Sequence, residues 1–385
     1  MINAEMMLSR SVGMDWLLDF TSRLYTDSIV SYHDGCLLKV GVDQYGKMED
    51  CMLQENESRI KPPRIIQTLV QGFNLVAAHP YIMLFPLFLD LFFWFGPFYR
   101  VKELLSPTVE EMMQAFSTTV ASTDLSSTLD ATKTAWEQLL TNFNLLTSLR
   151  TYPVGIPSLL ASKGYTDNPL GSPLLIEIGS LSEAVYFILI CVFLGLLFGS
   201  IYYALISRLI MKDRGQGKSA NMLYPIVQTF VLVLLIILFL IVISLPVLCF
   251  LSSFSVFVPT MGIIPLLILG IILLWVLMPF VFSAHGIFTR QLSAFKAISL
   301  STKFVRISSL ATSFFLTIAV SLSYGLDLLW STPAPDSWLY CLGLIGHAFV
   351  SSGVLAASFI YFRDGTFWME EVIKLGPQNM TGTNI

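Results

Sequence analysis

The sequence predicts an all-α, polytopic six-helix transmembrane bundle with an extracytoplasmic helical loop subdomain. Six apolar runs, 76–98, 181–206, 224–254, 261–283, 308–330 and 338–362, each reach the about 20 residues that a helix needs to cross a bilayer. A helix is the natural form for them, because it satisfies its own backbone groups where no water is present. Of the 385 residues, 55% are hydrophobic and only 12% charged, with a mean hydropathy of +0.71. Soluble domains carry about 25% charge, so a water-soluble fold of this length has too little polar surface to cover itself. Finally, Lys and Arg alternate from one inter-run segment to the next, as they do when positive charge is held on the cytoplasmic side.

That alternation orients the chain. Arg59, Lys61 and Arg64 precede the first run, and Arg208, Lys212, Arg214 and Lys218 follow the second. Arg290, Lys296, Lys303 and Arg306 follow the fourth, and Arg363 and Lys374 follow the sixth, whereas segments 255–260 and 331–337 have no Lys or Arg. Both termini are therefore expected in the cytoplasm, with 99–180 outside and the protein in the cell (plasma or inner) membrane. The expected divisions are a cytoplasmic extension 1–60, the first span with its lead-in 61–98, the outer helical segment 99–180, five further spans in 181–363 and a cytoplasmic tail 364–385.

The extension is poorly specified: 14–25 is readable as a short amphipathic helix and 28–42 as a hairpin around His33-Asp34-Gly35, beside the stronger reading that the segment has no fixed fold. It has no signal-peptide pattern, so the first span serves as an uncleaved insertion signal. In the outer segment, a helix is expected from Pro107 to about Ala121. A second, capped by Asp124 or Ser126, is expected to reach Leu149, with Leu139, Leu140, Phe143, Leu146 and Leu149 as its apolar face. Two Pro-x-Gly-x-Pro units, at 153–157 and 169–173, make stiff bends that lay 158–160 against the membrane surface.

Within the runs, Gly195 with Gly199, and Gly343, Gly346, Gly353 and Ala357, are small-residue seams for close helix packing. Ser309, Ser313, Thr317 and Ser321, ending at Gly325, form a stripe expected to face a neighbouring helix. Pro80, Pro86, Pro246, Pro265 and Pro279 are expected to kink or interrupt their helices.

Ionisable residues inside spans are costly to desolvate and are the first candidates for function. Asp90 lies roughly 11 Å and His347 roughly 13 Å from the outer end of its span, counted at the helical rise, so the two are a candidate intramembrane pair. Asp327 is an accessory candidate nearer the outer surface. Between the fourth and fifth spans, Lys296, Ser299, Lys303 and Arg306 recur at helical spacing opposite Phe295, Ala297, Ile298, Phe304 and Val305. This is a basic amphipathic helix with Lys296, Lys303 and Arg306 placed for lipid headgroups.

A net charge of −4 excludes a nucleic-acid surface. The five cysteines, Cys36, Cys51, Cys191, Cys249 and Cys341, make neither a disulfide framework nor a metal pattern, and one His with two Asp on three helices does not specify a metal. No Walker loop, nucleophile elbow, HExxH or Rossmann fingerprint is present. No cofactor is expected, and the partners expected are membrane lipids and a protein within the membrane.

The segments His79-Pro-Tyr-Ile-Met-Leu-Phe-Pro-Leu-Phe-Leu-Asp90-Leu-Phe-Phe-Trp94-Phe-Gly-Pro97 and Pro153-Val-Gly-Ile-Pro157-Ser, with the closing stretch from Gly346-His to Phe-Arg363-Asp364, resemble uncharacterised six-span bacterial membrane proteins of the Chloroflexi type. The resemblance covers about 60–370. The short stretch 293–301 is similar to the membrane domain attached to some glycerophosphodiester phosphodiesterases, but the chain has no phosphodiesterase catalytic domain. The expected function is a non-enzymatic scaffold or accessory membrane component. Two alternatives stay open: a transporter or permease-like subunit for a small solute, lipid or proton, and an intramembrane lipid-modifying enzyme.

Overall fold

Pro80 decides the shape of the first apolar run. A proline lacks the N–H that continues a helix and restricts the residue before it. His79 accordingly leaves the helical region (φ −131°, ψ 65°) and closes α1 (Ile65–Ala78) by donating its backbone N–H to the Leu75 and Val76 carbonyls. A 3-10 turn, Pro80–Met83, then leads into α2 (Leu84–Phe95), which points 93° away from α1. The run 76–98, expected as one span, thus holds only the end of α1, the right-angled elbow and the short α2, and the helix before the elbow begins at Ile65, ahead of the run.

The computed structural model describes residues 62–119, 126–212, 222–257, 270, 271, 273 and 276–375. The helix and hairpin expected in 14–25 and 28–42, and most of the fourth run, lie outside the described residues. Those described are all-α apart from one strand pair. They form α1 and α2, then α3 (Lys102–Thr119), α4 (Ser126–Asn142), α5 (Leu181–Lys212) and α6 (Leu223–Phe257), followed by α7 (Ser283–Arg290), α8 (Ala294–Ile307), α9 (Ser309–Trp330) and α10 (Tyr340–Leu375). Four helices, α5, α6, α9 and α10, are long and apolar enough to cross a membrane, and the bent α1–α2 pair is a fifth if it counts as one span.

Within its apolar window α10 is 61% buried, against 11% for α6 and 17% for α9, so α10 is the central post of the bundle. Its glycines set the approach of its neighbours. A Cβ on Gly72 of α1 would come within 2.5 Å of the Gly353 carbonyl oxygen and 2.7 Å of the Ala357 Cβ, and Trp330 of α9 lies over Gly346. Tyr202 of α5 donates to Ser352 across the core, and Phe315 of α9 stacks on Tyr361 at 4.3 Å. The outward residues of α6 and α9, among them Leu234, Leu238, Val242, Leu310, Phe314 and Val320, are large and apolar. Exposed apolar faces of this extent suit an apolar surrounding.

The small-residue stripe of α9 behaves differently from expectation. Ser309, Ser313, Thr317 and Ser321 are all exposed, and the helix packs instead through Thr312, Phe315 and Ala319. The face that packs carries one large side chain, Phe315, stacked on Tyr361, between the smaller Thr312 and Ala319.

The outer segment also departs from expectation. α3 begins five residues before Pro107 and carries that proline within the helix. α4 ends at Asn142 rather than at Leu149, because the Asn144 side-chain oxygen accepts the Leu146 and Tyr99 backbone N–H groups and turns the chain into the 3-10 segment Leu145–Leu149. Leu140 and Leu146 are buried, while Leu139 and Phe143 are exposed. Strands β1 (Phe98–Arg100) and β2 (Leu175–Glu177) pair in parallel, with Arg100 bonded to Glu177.

The first Pro-x-Gly-x-Pro unit does not lie on a surface. Val154 and Ile156 join the main core with Tyr202 and Ile206, and the Tyr203 hydroxyl donates to the Pro153 carbonyl at 3.2 Å. A Cβ on Gly199 would come 2.9 Å from the Gly155 Cα. The Gly195–Gly199 seam therefore admits this loop into the bundle instead of a second membrane helix.

Candidate functional site

Asp90 lies on the buried face of α2 with Leu89 and Trp94, and is 0% exposed. A buried carboxylate needs donors to offset its lost hydration. The inserted loop supplies them to one oxygen: the Ser158 hydroxyl donates to Oδ1 at 2.5 Å and the Leu160 N–H at 3.1 Å. The Ala161 N–H donates to Ser158 Oγ at 3.1 Å, fixing the hydroxyl in turn. The other oxygen, Oδ2, has no hydrogen-bond partner among the described residues and faces His347 Nε2 of α10 at 3.9 Å.

His347 is held from its other side. Its Nδ1 lies 2.7 Å from Asp327 Oδ1 of α9. An ionised carboxylate only accepts, so Nδ1 carries the proton and donates. Nε2, like Asp90 Oδ2, has no hydrogen-bond partner among the described residues. Two lone pairs facing across 3.9 Å repel, and a proton on either atom removes that repulsion. Exposure falls from 31% at the Asp327 side chain through 5% at His347 to 0% at Asp90, so one imidazole joins a carboxylate near the surface to one in the interior.

The walls are Trp94, Leu159, Leu160, Tyr340 and Leu344, with Leu91 and Trp330 packed against them. The Tyr340 hydroxyl and Trp330 Nε1 are buried without a hydrogen-bond partner among the described residues. Tyr340 is within electrostatic reach of both carboxylates, and the Lys163 ammonium sits 4.8 Å above its ring. The Trp94 indole N–H donates to the Pro335 carbonyl, tying α2 to the α9–α10 turn. Asp90 and Asp327 face opposite nitrogens of one ring and so do not converge on a common point. No group of three metal-type ligands occurs among the described residues.

The structure therefore brings Asp90, His347 and Asp327 into one chain, with Asp327 directly bonded to the imidazole. Sequence reasoning missed Ser158, Leu160 and Tyr340. The signal for Ser158 was its position directly after the rigid Pro153–Pro157 unit, but nothing local indicated that the unit enters the bundle.

The basic stripe lies on α8, with Phe295, expected on the apolar face, exposed like the cations. Lys296, Ser299, Lys303 and Arg306 are exposed, while Ala294, Ala297, Ser301, Phe304 and Val305 are buried against the protein. The apolar face of α8 is thus occupied by the protein's own core, and the cations and Phe295 remain outward.

His285 of α7 is 5% exposed. Its Nε2 is 2.8 Å from the Ser358 hydroxyl, and Phe359, Phe282, Phe362 and Tyr203 surround the ring. Burial among these rings pushes the imidazole down to about 3, so it is neutral at physiological pH. No family model, curated protein or solved structure matches the chain.

Proposed function

We propose that the protein is a six-span integral membrane protein of the cell membrane, with both termini cytoplasmic and the 99–180 segment outside. In this reading it acts without enzymatic turnover as a permease-like component, and Asp327, His347 and Asp90 form its proton relay. The observation that carries the reading is the open 3.9 Å approach of His347 Nε2 to Asp90 Oδ2, beside the closed 2.7 Å bond to Asp327. A scaffold needs only a latch, and a latch gains most from a closed hydrogen bond. An imidazole between two carboxylates of unequal exposure instead has the parts of a proton shuttle. The charge alternation supports the topology, and the resemblance to six-span bacterial proteins is consistent with it. Lys296, Lys303 and Arg306 would rest on anionic lipid, at about 1 kcal/mol per cation near the surface. A protein partner would meet the apolar outward faces.

The test is proton flux into proteoliposomes carrying an internal pH dye, driven by a potassium diffusion potential. Wild-type protein should acidify the lumen faster than protein-free vesicles do, and Asp327→Asn and His347→Gln should each lower that excess rate about tenfold or more. Asp327→Asn retains an acceptor for Nδ1 and so separates proton transfer from folding. Equal rates in wild type and both variants would reduce the cluster to a structural latch.

A further inference from the structure

About 24 Å along α10 from His347, at the helical rise, Arg363 lines a cavity of about 270 Å³ together with Met211, Thr289, Arg290 and Phe367. Arg363 is 7% exposed. Its Nη1 donates to the Ile210 carbonyl at 3.0 Å and its Nε to Asp364 at 2.8 Å, while Nη2 has no acceptor among the described residues. Arg290 donates to Glu370 and, through Nη2, to Thr366 at 2.8 Å, with its guanidinium 5.1 Å from the centre of the Phe367 ring. Its Nε also lacks an acceptor among the described residues. The partner carboxylates Asp364 and Glu370 are not among the residues that line the cavity.

We propose that this cavity binds a phosphate group between Arg363 and Arg290. Tying α10 to the end of α5 needs only the bond to Ile210. A clasp of that kind does not account for a second guanidinium on the same cavity, nor for the N–H groups left over beside it. Guanidinium N–H pairs match phosphate oxygens in geometry and charge. Met211 and Phe367 give the cavity an apolar side that suits the acyl or glycerol portion of a lipid. Met211 is next to last in α5, where the apolar stretch of that candidate span gives way to charge and where a headgroup phosphate would lie. The same chemistry would accept inorganic phosphate. The assignment is independent of the proton relay and of the α8 stripe.

The experiment follows the thermal midpoint of the full chain in detergent during separate titrations with phosphatidic acid, inorganic phosphate and oleate, the last being an anionic amphiphile without phosphate. Phosphatidic acid should raise the midpoint saturably. Arg290→Gln should weaken the apparent affinity about tenfold, the loss expected for one charge-assisted contact, and Met211→Trp, which fills the cavity without touching a guanidinium, should weaken it at least as much by excluding the ligand. The triple variant Lys296→Gln, Lys303→Gln, Arg306→Gln should keep it, which separates the cavity from the surface stripe. A saturable rise with inorganic phosphate that Met211→Trp abolishes would also support the site and assign it to free phosphate. Should Arg290→Gln fail to fold, Met211→Trp decides. An oleate response equal to that of phosphatidic acid, an unchanged affinity in folded Met211→Trp, or no response to either phosphate probe would overturn the proposal.

Discussion

Asp90 and His347 are buried groups that depend on each other across a gap, and this dependence is measurable. Removing one leaves the other desolvated without its counter-group. Asp90→Asn and His347→Gln should each lower stability by about 3 kcal/mol, and the double variant should cost at least about 1 kcal/mol less than the sum. Unfolding by SDS in mixed micelles gives all four corners of this cycle, and strict additivity would refute the coupling. His285 makes the opposite prediction, because it is buried neutral. Its folded value of about 3 lies below an unfolded value of about 6.5, so the unfolded chain binds the extra proton between the two. Stability is full above pH 6.5 and is lost as pH falls towards 3. At pH 5 the loss should reach about 2 kcal/mol, at 1.36 kcal/mol per unit. The difference between wild-type and His285→Gln midpoints across pH 5 to 7.5 should show it, and parallel curves would place the acid sensitivity elsewhere.

The elements meet where glycine permits it. α1 and α10 touch through Gly72 against Gly353 and Ala357, with Phe73 over Gly353. A methyl group on Gly72 would strike backbone atoms of α10, which cannot turn aside as a flexible side chain can. Gly72→Ala should therefore cost about 1–3 kcal/mol, the range for overpacking a filled core, and size-exclusion and thermal unfolding in detergent would register it. Gly325, at the end of the exposed α9 stripe, has nothing near its Cβ position, so Gly325→Ala serves as the neutral control. The inserted loop obeys the same rule. Gly195 and Gly199 leave a groove on α5, and the segment carrying Ser158 reaches Asp90 through it.

For the molecule as a whole, the proposed topology places the charge-rich ends of α5, α7, α8 and α10 on one side and the relay towards the other. Single cysteines at Ala131 and Gly217, introduced into a chain cleared of its five native cysteines, should label from opposite sides of sealed cells. Ala131 should react without permeabilisation and Gly217 only after it. Labelling of both from one side would remove the six-span arrangement while leaving the internal geometry of the relay untouched.

Composition and apolar run length were enough to predict helices and outward apolar faces, because each depends on side chains along a single segment. The exposed cations of α8 were legible for the same reason, since helical spacing alone places Lys296, Lys303 and Arg306 on one face. The candidate pair Asp90 and His347 could be named from depth alone. Helical rise gives a height in the bundle, but it cannot say which neighbour lies beside a residue. That was decided by tertiary structure: the entry of the Pro153–Pro157 unit beside Gly199, and the turn that brings Asp327 onto the far nitrogen of His347. Each depends on two distant backbones approaching closely, and a single segment carries no record of its partner.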